Sequence, residues 1–172
     1  MTQANIFTPA ALGVVYLLIA AIPLARIDAR EHRLPNRLVV PAFPVTLVGQ
    51  LASLILALAA GSWRSDLAKF GQAWLCALVT FALALLVNRY GSLGMGDVKL
   101  LAAIALALGW FSGFLVLVAV TAGFGLGVAG ILVRGLLQKQ RMGQSIALGP
   151  FLLSGFALAG ALLCWPAPAL TV

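Results

Sequence analysis

Charged side chains cut the chain into five long uncharged blocks: residues 1–25, 38–63, 70–88, 100–133 and 142–172. A helix needs about 20 apolar residues to cross roughly 30 Å of hydrocarbon, so each block can hold one span. The fourth is too long for one, because its 34 residues would make a helix of about 51 Å at about 1.5 Å per residue. Gly109-Trp110-Phe111-Ser112-Gly113 offers a turn in its first half. Two helices there bring the expected total to six. Glycines at four-residue spacing, Gly109 with Gly113 and Gly123 with Gly127, are read as points where helices pack closely.

Composition makes lipid the expected solvent. Hydrophobic residues are 63% of the 172 and charged residues 9%, against about 45–50% and about 25% in soluble domains. Too few charges remain to solvate a globule, and the connections between blocks are too short for a soluble domain. The expectation is a single membrane-embedded domain over residues 1–172, an all-α polytopic bundle.

Charge then bears on orientation. The 11 Lys and Arg exceed the 4 Asp and Glu, giving a formal +7. These charges lie between the apolar blocks and form no patch interleaved with aromatics, which speaks against a nucleic-acid partner. With six spans and an outside N-terminus, Arg26, Arg30, Arg33, Arg37, Arg89, Lys99, Arg134, Lys139 and Arg141 face the cytoplasm, while Arg64 and Lys69 face out. That nine-to-two split satisfies the positive-inside rule, whereas one span in the fourth block gives six to five. Both chain ends are then expected on the extracytoplasmic side. Residues 1–8 carry no Lys or Arg, so the first block is not read as a signal peptide.

In so apolar a chain each of the four acids requires an explanation. Asp66, beside Arg64 and Lys69 in residues 62–69, reads as a solvated charge in an outer loop. Glu31, among Arg30, Arg33 and Arg37, reads as an exposed local ion pair. Asp97 stands directly before an apolar run and could serve as its N-cap. A cap requires neither Gly94 nor Gly96, however. Glycines around one acid open backbone conformations closed to other residues and let another chain approach. Asp28 ends the first span and could pair with Arg26 or Arg30. Acids at membrane depth are nevertheless costly and tend to face a protein interior or a watery cavity. Asp28 closes an out-to-in helix and Asp97 opens an in-to-out helix, so both lie at the cytoplasmic boundary, where a dyad is possible.

Other catalytic inventories fail. His32 is the only histidine, and there is no GxSxG, no HExxH, no P-loop and no dinucleotide fingerprint. Cys76 and Cys164 sit in separate blocks without CxxC spacing, which indicates neither a disulfide framework nor a zinc site. The competing reading is a small transporter or channel subunit that uses Asp28 and Asp97 for ions or protons. Spans built almost purely of Ala, Leu, Val and Gly, with both acids at one boundary and not at mid-membrane, speak against conduction.

Gly94-Met95-Gly96-Asp97-Val98-Lys99 resembles the GxGDxK signature at the second catalytic aspartate of the type IV prepilin peptidases, membrane aspartyl proteases of the GxGD class. Asp28 followed by Leu34-Pro35-Asn36 resembles their first-aspartate motif, and Leu148-Gly149-Pro150-Phe151 resembles their late Gly-Pro-Phe segment. The resemblance implies a six-helix GxGD bundle with Asp28 and Asp97 catalytic. It implies supporting or substrate-approach roles for Gly94, Gly96, Lys99, Pro35, Asn36, Gly149 and Pro150. The implied reaction removes a short basic leader from a prepilin, after a Gly, at the cytoplasmic face of the inner membrane. No metal or organic cofactor is implied. The implied partners are the prepilin leader and its apolar helix, the lipid bilayer, and a pilus or secretion machinery. Lys99 has a charge role at the site on one reading; the orientation rule predicts a lysine there in any case and favours a topological role.

Two features depart from the family pattern. Ala147 stands where the Pro-Phe-Gly-Pro form of the late motif has its first proline. The paired-cysteine region that long bifunctional members associate with N-methylation has no counterpart, so the chain resembles the short peptidases of tight-adherence (Flp-type) pili, without methyltransferase activity. Archaeal preflagellin peptidases are similar cousins. Presenilin-like relatives use a Tyr-Asp motif, whereas Ile27 precedes Asp28 here.

Overall fold

The computed structural model describes residues 8–31, 34–90, 93–138 and 148–164. A 3-10 turn, Pro9–Ala11, leads into α1 (Leu12–Glu31). There follow α2 (Asn36–Val39), α3 (Ala42–Ala59), α4 (Trp63–Arg89), α5 (Met95–Gly109), α6 (Gly113–Gln138) and α7 (Gly149–Cys164). Every regular element among the described residues is a helix. The chain is an all-α, polytopic membrane bundle, with six long helices and one short one among the described residues.

Local chemistry ends each helix where the bundle needs a reversal. After α3, the N–H of Gly61 bonds the carbonyl of Leu58 and that of Ser62 bonds Ala57, the two reversed bonds of a Schellman ending. Gly61 sits at φ 74°, a conformation that a side chain disfavours. Between α5 and α6, the N–H groups of Phe111 and Ser112 both reach the carbonyl of Leu108. The Ser112 hydroxyl then accepts the N–H of Phe114 and caps the start of α6. The long fourth block therefore does break between Gly109 and Gly113, as its length requires.

Packing puts α5 at the centre. It touches α1, α2, α3, α4, α6 and α7, and every residue from Leu100 to Gly109 is buried. Two glutamines tie its C-terminal end to its neighbours. Gln50 of α3 donates to the carbonyl of Leu106 at 3.0 Å, and Gln72 of α4 donates to that of Gly109 at 2.9 Å. The glycines allow the closeness: a Cβ on Gly109 would lie 2.9 Å from the Ala73 Cα of α4, and one on Gly123 would lie 3.0 Å from the Leu152 Cα of α7. Outward faces carry Ile19, Ile22, Ile55, Leu75, Leu78 and Phe114, all well exposed, an arrangement suited to lipid and costly in water.

Among the described residues four helical stretches are long and apolar enough to cross a bilayer: Pro9–Glu31, Asn36–Ala59, Trp63–Arg89 and Gly113–Gly130. The remaining two long helices are shorter than the expected full spans, at 15 residues for α5 and 16 for α7. Because protein surrounds α5, its length has no hydrocarbon thickness to match. The second block also begins differently from expectation. Residues 36–39 form a separate turn, because Pro41 lacks the N–H that a helix continuing from α2 would use. The third block starts early. Asp66 lies in the first turn of α4, where its carboxylate meets Lys69 at 2.6 Å, and not in a loop. A helix costs nothing by extending past the hydrocarbon, and an acid in its first turn complements the dipole. The expected extracytoplasmic chain ends, His32, Arg33, Lys139, Arg141 and Ala147 lie outside the described residues.

Candidate active site

Three helix ends meet at one end of the bundle. Asp28 occupies the last turn of α1, with only 4% of its surface exposed. Its Oδ2 accepts the backbone N–H of Gly149, the first residue of α7, at 3.0 Å. The N-terminus of α7 thus offers a carboxylate both a hydrogen bond and the positive end of a helix dipole. Gly149 is required for that approach: a Cβ there would fall 2.6 Å from Oδ2 and 3.0 Å from the carboxyl carbon of Asp28.

Asp97 comes from the opposite direction of chain, on the first turn of α5. The N-cap is Gly94, extended at φ −71° and ψ 147°, so Asp97 is the third helical residue and not itself the cap. The backbone of Gly94 hydrogen-bonds its carboxylate, and Asp28 repels it electrostatically. An acid at the third position reaching back to the N-cap amide is half of a capping box. The other half, a Ser or Thr side chain at the cap, is replaced by glycine, and Asp97 Oδ1 is buried without a hydrogen-bond partner among the described residues. A buried acceptor left open in this way is costly unless something arriving from outside satisfies it.

Both carboxylates line one cavity of about 310 Å³, together with Leu34, Asn36, Gly94, Met95, Gly96 and Lys99. The two glycines have separate local reasons. Gly96 admits Leu34, whose Cβ lies 2.8 Å from where a glycine substituent would stand, and Gly94 leaves room for Asp97 Oδ2. Pro35 is the N-cap of α2, and Pro150 is the second residue of α7. Neither is on the cavity wall. Lys99 turns its Nζ to Asn36 Oδ1 at 3.1 Å. Among the described residues, no group of three or more His, Cys, Asp or Glu gathers at one place.

Residues 15–130, which include both aspartates, match the profile of the type IV leader peptidase family. The chain belongs to that family. It is also 31% identical over 160 residues to a protein of Escherichia coli (strain K12) named prepilin leader peptidase/N-methyltransferase, covering 92% of this chain and 67% of that one. No solved structure matches it.

In this leader peptidase the sequence-level candidates gather well: Asp28, Asp97, Gly94, Gly96, Asn36 and Lys99 share the cavity, and Gly149 touches Asp28. Asp66 is at the far end of α4, and Glu31 is exposed at the end of α1. Two residues of the wall carry no chemistry that sequence alone would mark. Leu34 and Met95 supply the apolar lining, and the only signal for them was their place inside the two aspartate motifs.

Proposed function

We propose that this leader peptidase is an aspartyl endopeptidase in which Asp28 and Asp97 act as one unit to remove the short basic leader of a Flp-like prepilin. The cut falls after a Gly, at the cytoplasmic boundary of the inner membrane. The observation that carries the reading is that two carboxylates from different helices, 69 positions apart in the chain (97 − 28), line one cavity.

The chemistry needs nothing beyond the pair and a water. Two carboxylates facing one cavity resist double ionisation, so they share a proton and titrate together. The ionised member takes a proton from the water as its oxygen bonds to the scissile carbonyl carbon. The protonated member hydrogen-bonds the carbonyl oxygen, which gains the electron pair and that proton. On collapse the C–N bond breaks, the pair delivers one proton to the leaving amine, and the other proton returns to the dyad. Gly94 and Met95, both exposed at the cavity, leave a path for an extended backbone.

Orientation follows from charge. By chain direction, Arg26, Arg30, Arg37, Arg89 and Lys99 lie at the aspartate end, and Arg64 and Lys69 lie at the other, which supports a cytoplasmic site. A transporter reading gains no support, since the interior of α5 is apolar throughout from Leu100 to Leu108. These residues carry no paired-cysteine motif, and Cys76 and Cys164 are free on separate helices, so we assign cleavage without methylation. The test is to mix the detergent-purified protein with a prepilin bearing a Gly-ending basic leader and to locate the cut by mass spectrometry. Cleavage after the Gly is expected. An intact prepilin, or cleavage elsewhere, contradicts the proposal.

A further inference from the structure

We propose that Leu34 and Met95 are specificity-determining residues: they form the wall that receives the first side chain after the cut, and they select an apolar one. This rests on the leader-cleavage reading above and names the substrate residue that the site reads.

The cavity has two characters. Asp28, Asn36, Asp97 and Lys99 supply its polar groups, and among the described residues Leu34 and Met95 are its only large apolar side chains. Met95, the first residue of α5, is 52% exposed. Exposed apolar side chains along the spans meet lipid, but Met95 lines a cavity that also holds two carboxylates. Water gains nothing from such a neighbour, whereas an apolar side chain does, and methionine adapts to partners of different shape.

Leu34 is set more rigidly. It is half-buried and packed against the core, and Pro35 after it is the N-cap of α2. The Tyr16 hydroxyl of α1 anchors that turn by donating to the Leu38 carbonyl at 2.9 Å. On its other side Leu34 settles onto the first turn of α5, where Gly96 makes room. A Cβ at Gly96 would lie 2.8 Å from Leu34 Cβ and 3.5 Å from its Cδ1. The residue it rests on directly precedes Asp97, so a substrate bond held at that carboxylate has Leu34 for a neighbour.

Size and chemistry select the occupant. At about 310 Å³ the cavity is at the low end of ligand sites, which span roughly 300–1,000 Å³. It therefore has room for the scissile segment and little beyond one side chain. On the cleavage reading the residue before the cut is a Gly, which has no side chain, and the leader ahead of it is basic. An apolar wall serves neither. The residue after the cut begins the apolar part of the substrate, and its side chain is the one such a wall can take. A wall that merely kept water from the aspartates would affect every substrate alike; one that reads a side chain sets the ratio of kcat/KM between substrates.

The experiment measures kcat/KM on purified prepilins that differ only in the residue after the cut, which is Leu, Ala or Glu. The enzymes are the wild type, Leu34→Ala, Met95→Ala and Met95→Lys. The wild type should prefer Leu to Ala by about tenfold or more and cleave the Glu substrate least. Leu34→Ala and Met95→Ala should each compress the preference for Leu over Ala several-fold. Met95→Lys should raise cleavage of the Glu substrate relative to the Ala one. Met95 is exposed on the first turn of its helix, so its two variants carry the test if Leu34→Ala fails to fold. Equal losses on all three substrates in the Met95 variants overturn the proposal. So does a change of preference that appears only when the Gly before the cut is varied. A wild type that cleaves none of the substrates overturns the cleavage reading and this proposal together, whereas cleavage with the same ratios in every variant overturns this proposal alone.

Discussion

A single methyl group placed at Gly149 should separate the chemistry of the site from the stability of the bundle. In Gly149→Ala the new Cβ would stand 2.6 Å from Asp28 Oδ2, 3.0 Å from its Cγ and 3.3 Å from its Cβ. Asp28 is 4% exposed, so its carboxylate has little space into which to retreat. Either that carboxylate or the first turn of α7 must shift, and the 3.0 Å hydrogen bond from the Gly149 N–H is lost or stretched. A hydrogen bond to a charged group contributes about 1.5–3 kcal/mol. Displacement of a reacting group by about 1 Å costs on the order of 10²-fold in rate. We therefore expect leader cleavage to fall about 100-fold, with a stability loss of about 1–3 kcal/mol in detergent. Gly125→Ala on α6 is the control, because a Cβ there meets nothing within 4 Å. It should leave cleavage intact and stability equal or higher by up to about 1 kcal/mol. The assay pairs initial rates on purified prepilin with thermal unfolding of both variants. Wild-type kcat/KM in Gly149→Ala would refute the contact as a determinant of the site.

Three further outcomes are expected. Gly109→Leu should weaken the bundle by at least about 1–3 kcal/mol in thermal unfolding, because even its Cβ would stand 2.9 Å from the backbone of Ala73; an unchanged melting temperature would contradict the packing of α4 on α5. In a variant lacking Cys76 and Cys164, cysteines at the exposed positions of Arg30 and Arg89 should be labelled from the cytoplasm and one at Ser65 from outside; opposite sides for the first two would defeat the orientation. The pure protein should transfer no labelled methyl from S-adenosylmethionine to a processed pilin, and any such transfer would overturn the assignment of cleavage alone.

The sequence told most about features that depend on charge in lipid. An acid in so apolar a chain is conspicuous, and counting spans assigns Asp28 and Asp97 to one boundary; in the structure the two line one cavity. The break at Gly109 to Gly113 was equally legible, because a single helix of that length does not suit a bilayer. Helix starts were not. Hydropathy records where side chains meet lipid, so it placed the third span from residue 70, whereas the backbone is helical from Trp63, outside any need for apolar residues. Asp97 shows the same limit. Its position before an apolar run suggested a cap, but Gly94 begins the helix and Asp97 is inside it. Least legible were the long-range polar contacts. Nothing in local spacing announces that Gly149 would donate to Asp28, that Asn36 would hold Lys99, or that Gln50 would reach the Leu106 carbonyl. Each depends on which helices become neighbours, and periodicity carries no such information.

Substitution of the two aspartates, singly and together, bears on the dyad without intermediary. Asp28→Asn and Asp97→Asn should each abolish leader cleavage while the protein remains folded in the membrane, and the double variant should be no worse than either, because residues that act as a unit are strongly non-additive. The wild-type pH–rate profile should be bell-shaped and report the pair. Asp66→Asn, at the far end of α4 and paired with Lys69, should keep near-normal activity. Substantial cleavage by a well-folded Asp28→Asn or Asp97→Asn protein would contradict the dyad and leave that carboxylate a structural role at its helix end.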